Sequence, residues 1–158
     1  MAYAENTTVD SAKSRVEIER TLERYGATAF MYGTKPEHAI VGFEMNGRNV
    51  RFVIPLPNRA DPRFTEYKQG YSTHVRTESA ARELYEKAVR QKWRALALVV
   101  KAKLEAVESG ISVFEEEFLA NIVLPGGRTV YENVVSGIEQ AYQSGKVSPL
   151  LQIEGARS

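Results

Sequence analysis

The apolar positions of the chain follow two periods, and the switches between them mark its elements. Between Ser14 and Tyr25 the period is helical, with Ile18, Leu22 and Tyr25 on one face at about 100° per residue. Ser14-Arg-Val-Glu17 has the form of a capping box, in which Ser and Glu side chains satisfy free amides at a helix start; Ser11 offers a start one turn earlier. Gly26 ends this helix, because glycine takes the left-handed conformation readily. Residues 1–10 have no such period and read as a loose, flexible arm. Beyond Gly26 the period becomes two. Residues 27–32, 38–45 and 48–54 read as strands, and Asn46-Gly47 is the preferred pair for a two-residue hairpin turn. That turn fixes the register: Phe43 opposite Val50, Val41 opposite Phe52, Ala39 opposite Ile54, all on one apolar face. Glu44, Gly42, Asn49 and Arg51 share the other face, as in a sheet with one cover layer.

Pro55-Leu-Pro57 ends the sheet, since proline cannot donate to a ladder. Residues 58–76 form the longest stretch without a clear period, and Phe64, Tyr67 and Tyr71 have the spacing of a short helix. Thr77 then caps a long helix that runs from Glu78 to Gly110. Its apolar positions make two adjoining sides. Val89, Trp93, Leu96, Val100, Leu104 and Val107 form one; Leu84, Ala88, Ala95, Val99, Ala102 and Ala106 form the other. So wide an arc predicts cover on both sides. A capping box at Ser112-Val-Phe-Glu115 opens a short helix with Phe114, Phe118, Leu119 and Ile122 inward. Another at Thr129-Val-Tyr-Glu132 opens a last helix with Val130, Val134, Ile138 and Ala141 inward, closed by Gly145. Residues 146–158 read as a flexible tail.

These elements predict one α+β domain over residues 11–145, in the order α-β-β-β-α-α-α. A three-stranded antiparallel sheet is covered on one face by the long central helix, with the remaining helices behind that helix. A chain of 158 residues is long enough for a core of its own. It has no cysteine, which excludes disulfide and thiolate chemistry. No apolar run reaches membrane-spanning length and no N-terminal stretch is laid out as a signal peptide. A cytoplasmic protein without membrane contact is expected.

The net charge of +1 conceals a segregation. Residues 1–47 carry 5 basic and 7 acidic groups, residues 48–103 carry 13 and 5, and residues 104–158 carry 3 and 8. The middle segment, at +8, predicts a basic face that attracts a polyanion, or segments that pair with one another within the fold or across a homo-oligomer. On the long helix Lys87, Arg90, Arg94 and Lys101 line up at helical spacing in the polar gap. In the 58–76 stretch Arg59, Arg63, Lys68 and Arg76 alternate with Phe64, Tyr67 and Tyr71. Basic groups neutralise phosphates and aromatic rings stack on unpaired bases. If the stretch folds over the helix start, these eleven residues form one nucleic-acid site, which Arg48 and Arg51 extend. The competing reading pairs the helix charges locally, as Glu83–Lys87, Glu86–Arg90 and Lys101–Glu105.

Nothing in the sequence favours catalysis. His38 and His74 stand in no metal-ligand spacing. Glu115, Glu116 and Glu117 suit the dipole of a solvated first turn. Gly126-Gly127-Arg128 is not followed by the Lys-Ser/Thr of a phosphate-binding loop. No catalytic residue, metal or cofactor is expected.

Three stretches resemble a family of small, mostly uncharacterised bacteriophage proteins: Arg24-Tyr-Gly-Ala-Thr-Ala-Phe30, Gly47-Arg-Asn-Val-Arg-Phe-Val-Ile-Pro-Leu-Pro57, and residues 93–111 with Phe114-Glu-Glu-Glu-Phe-Leu119. The resemblance spans roughly residues 15–135. It implies a phage origin and supplies no catalytic residues. Phage proteins of this size serve DNA replication or recombination, or block host defences. The element order is also similar to the core of phage single-strand annealing proteins, in topology alone. A non-catalytic accessory protein of DNA metabolism that binds single-stranded DNA is the first expectation. A protein-binding module, such as an inhibitor of a host defence complex, is the second.

Overall fold

The turn at Asn46-Gly47 forms with φ of 52° and 69°, both positive, as a two-residue hairpin demands. The computed structural model describes residues 2–149, with side chains from Ser11 onward. Strands β2 (His38–Met45) and β3 (Arg48–Pro55) flank the turn. Their register is the one the turn imposes: Phe43 opposite Val50, Val41 opposite Phe52, Ala39 opposite Ile54. All six side chains are buried, with Met45 beside them. Strand β1 (Ala29–Thr34) pairs antiparallel with β2, giving the order β1-β2-β3. It begins two residues later than the period suggests, because Ala27 still belongs to the preceding helix end. Its amide bonds the Leu22 carbonyl at 2.9 Å across Gly26, whose φ is 98°.

Helix α3 (Glu78–Glu108) starts at Thr77, whose hydroxyl accepts from the Ala80 amide at 3.3 Å. Trp93, Leu96, Ala97, Val100 and Leu104 join the sheet's apolar face in one core, and Trp93 is 2% exposed. Helix α1 (Ala2–Arg24) brings Ile18 and Leu22 to the same core. The two helices lie side by side and run the same way. Arg15 sits 5.7 Å from the Trp93 ring centre, and further along Tyr25 donates to the Glu105 carboxylate. Helix α1 takes in most of the stretch read as an arm, and Ser11 and Ser14 lie inside it rather than at its start. Residues 2–10 contain neither glycine nor proline to stop a helix.

After α3, helix α4 (Phe114–Glu117) and a single 3₁₀ turn (Leu119–Asn121) fold back onto the sheet. The Ser112 capping box does not form: Val113 occupies the cap position without a side-chain bond, and the Ser112 hydroxyl bonds the Val113 carbonyl. Phe114, Phe118 and Ile122 are buried as expected, whereas Leu119 is exposed. Phe43 and Phe52 stack at 6.4 Å, and Phe118 meets both edge-on at 5.7 and 6.3 Å. Val123 donates to the Asn49 carbonyl at 2.8 Å and Asn121 to that of Arg51 at 3.1 Å, covering the outer edge of β3.

Helix α5 (Val130–Ser144) has the full Thr129–Glu132 capping box and ends at Gly145 with φ of 67°. It does not lie behind α3. It starts beside β3, where Glu132 pairs with Arg51 at 3.1 Å, and every one of its described residues is at least partly exposed. Helix α1 takes the place beside α3 instead. The second apolar side of α3 is therefore not fully covered: Ala95, Val99 and Ala102 are exposed. Alanine counts as apolar in a periodicity, yet its small side chain loses little by facing water. The last residues of the expected tail, 150–158, lie outside the described residues.

Two measurements follow from this packing. Phe52→Ala empties a site shared by three aromatic rings and should cost about 3–5 kcal/mol in urea unfolding, as ring deletions from cores do. The Tyr25 phenol is pushed above its ordinary value of 10.0, first by its bond to the Glu105 carboxylate and then by desolvation. A phenol that binds its proton more tightly when folded stabilises the fold below its unfolded value. It loses that contribution as pH rises through the folded value. Tyr25→Phe should lower the melting temperature at neutral pH, and the gap from wild type should narrow above pH 10. A gap that stays constant across that range would contradict the assignment.

Candidate nucleic-acid interface

Residues 58–76 are more ordered than their lack of period suggests. Asn58 and Asp61 side chains accept from the Ala60 and Arg63 amides, both at 2.9 Å, and turn the chain into a short helix α2 (Pro62–Thr65). Pro62 stands at its first position, where a missing N–H costs nothing. A hairpin follows, β4 (Glu66–Gln69) with β5 (Ser72–Val75). Gly70 takes φ of 63° at the first of the two turn residues, a position that favours glycine. So Tyr67 and Tyr71 are strand and turn residues, not neighbours on a helix with Phe64. The signal was Gly70 between Tyr67-Lys68 and Thr73-His74-Val75, a β-prone pattern around a turn glycine.

The segment does fold onto the start of α3. Phe64 is buried edge-on against Tyr85 at 5.8 Å, and the Arg59 guanidinium lies 4.4 Å from the centre of the same Tyr85 ring. Phe64 is therefore an anchor and offers no face to a base. The hairpin itself stands free, with every residue of both strands exposed. It is held at its base: the Arg76 amide bonds the Thr65 carbonyl at 2.7 Å, and Arg76 Nε bonds the Glu66 carbonyl at 3.1 Å. Tyr67 stacks on His74 at 5.2 Å, with Arg76 5.5 Å from the same ring. Arg63, Tyr67, Lys68 and Arg76 line one groove beside the hairpin, with Glu66 and Thr73. Tyr71, at the tip, is fully exposed. Arg63 is part-occupied by Asp61 at 3.5 Å.

The helix stripe is elsewhere. Tyr85, where the segment docks, is separated from Lys87 by about 200° around the helix. Lys87, Arg94 and Lys101 thus face away from the hairpin, and all three are exposed, while Arg90 is partly buried. The eleven residues do not make one face. Lys101 instead shares a groove with Lys13, Arg20 and Arg24 of α1. Those three were missed because the sequence does not say that α1 lies beside α3. Of the suggested local pairs, Glu105 is engaged by Tyr25. Arg51 is committed to Glu132 on the outer face of the sheet, whereas Arg48, opposite Met45, lies on the same face as Val50 and Phe52, so the two do not extend one surface.

Other candidates resolve plainly. Glu117 holds Lys103 at 3.4 Å, and among the described residues no His, Cys, Asp or Glu group is placed to hold a metal. Gly126 and Gly127 both take positive φ in a turn. Among the described residues no helix is long and apolar enough to cross a membrane. Comparison with protein-family models, with curated proteins and with solved structures returns no match.

Proposed function

We propose that this chain binds single-stranded nucleic acid without catalysing a reaction, as an accessory protein of phage DNA metabolism, and that the β4–β5 hairpin is its contact element. The observation that carries the reading is the groove in which Arg63, Lys68 and Arg76 surround Tyr67 beneath the exposed Tyr71. A free-standing two-stranded hairpin gains little stability from its own pairing. One that presents Lys68 and two tyrosines, with Arg63 and Arg76 at its base, suits a ligand offering both phosphates and ring faces. Lys87, Arg94 and Lys101, on the opposite side of α3, are left out of this site.

A second reading, a protein-binding module such as an inhibitor of a host defence complex, draws on α5. Tyr131, Val135, Ile138 and Tyr142 form one exposed apolar arc on that helix. An uncovered arc of this kind suits a protein groove.

Fluorescence anisotropy with a labelled oligonucleotide at several salt concentrations separates the two. Lys68→Ala with Arg63→Ala should reduce the slope of log affinity against log salt by about 0.7 per lost phosphate contact. Tyr71→Ala should cost about 1–3 kcal/mol of binding with little change in slope, because stacking releases few ions. Lys87→Ala with Arg94→Ala should leave both unchanged. Loss of binding in that last variant would move the site to the helix stripe. No binding at low salt would favour the protein-binding reading.

A further inference from the structure

The two edges of the three-stranded sheet are treated differently. The Lys35 amide bonds the His38 carbonyl at 2.8 Å, and the β1–β2 register then sets the alternation along β1. Ala29, Met31 and Gly33 turn their backbone groups toward β2, while Phe30, Tyr32 and Thr34 turn theirs outward. On the far edge, the outward carbonyls of β3 are taken: Asn49 by Val123 and Arg51 by Asn121. Pro55 blunts what remains there, having no N–H. Among the described residues nothing bonds the outward groups of Phe30, Tyr32 and Thr34. Nor does β1 carry the usual protection, for Ala-Phe-Met-Tyr-Gly-Thr has no charge and no proline. Its outer-face side chain, Met31, is 70% exposed.

We propose that β1 pairs antiparallel with β1 of a second copy of this chain, about a two-fold axis at Tyr32, to make a continuous six-stranded sheet. The outward groups sit at 30, 32 and 34, so the strand is self-complementary about its own centre. Tyr32 faces Tyr32 of the second copy, and Phe30 faces its Thr34. Each of these is a hydrogen-bonded pair, giving about six bonds in the new ladder. The side chains agree with this register. Met31 falls opposite Gly33 of the second copy, where no side chain competes for the space. Within one chain nothing calls for a glycine at 33: it needs no positive φ, and a Cβ there would meet no atom within 4 Å. Close approach of another backbone is one of the causes that place a glycine in a strand.

Sedimentation equilibrium of the full chain at tens of micromolar tests this. The wild type should have twice the 17.7 kDa mass of one chain. Thr34→Pro removes an outward N–H and is tolerated by a lone edge strand, so it should sediment as a folded monomer with an unchanged circular dichroism spectrum. The chain lacks cysteine, which permits a second measurement. The double variant Met31→Cys with Gly33→Cys should give disulfide-linked dimers under mild oxidation, because only this register brings the two positions face to face. Val53→Cys, also exposed but on the strand at the other edge, should not. A monomeric wild type would overturn the proposal. So would a dimer in which the double variant fails to cross-link while Val53→Cys does.

Discussion

The structure depends on the register between β2 and β3. A strand's side chains alternate with period two, so a slip of one residue would carry Val41, Phe43, Val50 and Phe52 from the core to water. The Asn46-Gly47 turn prevents the slip. Because the register holds, Phe43 and Phe52 stack in one layer and receive Phe118 edge-on. That layer gives α1 and α3 a single face to pack upon, and both helices crowd there. The other face of the sheet and the side of α3 that carries Ala95, Val99 and Ala102 are left for solvent or partners. The surfaces that matter for function are thus those the core leaves over.

The elements that the chain signals through its backbone were legible in the sequence. Asn46-Gly47, Thr77, the Thr129–Glu132 box and Gly145 each meet a local geometric demand, and each lies where that demand predicts. What sequence period could not reveal was which helix covers which surface. Helix α5 carries a clear apolar face, and that led to a place for it behind α3. Yet amphipathicity reports only that a face suits an apolar neighbour, not that this chain provides one. The start of α1 was misjudged for a related reason. A capping box inside a helix reads like one at its end unless a breaker precedes it, and residues 2–10 hold none.

The candidate site was legible in composition and not in geometry. The excess of cations in residues 48–103 is real, and Arg63, Tyr67, Lys68 and Arg76 do come together. Helical spacing correctly put Lys87, Arg94 and Lys101 on one line of α3. It carried no information on where the 58–76 segment docks, and that is decided by Phe64 against Tyr85. One buried aromatic pair separates the two basic surfaces. It also explains why Phe64, grouped by composition with the tyrosines, serves packing instead.

Trp93 reports on the helix layer, since it projects from α3 toward α1 and β1. Arg15 and Tyr32 both lie against its ring, so its burial reports the packing of α3 against α1 and β1. As the chain's sole tryptophan it gives an unmixed signal. Acrylamide quenching of its fluorescence is therefore the most direct measurement. Strong protection relative to free indole, lost when the protein is unfolded in denaturant, is the result this packing predicts. Quenching of the native protein as efficient as that of free indole would contradict it.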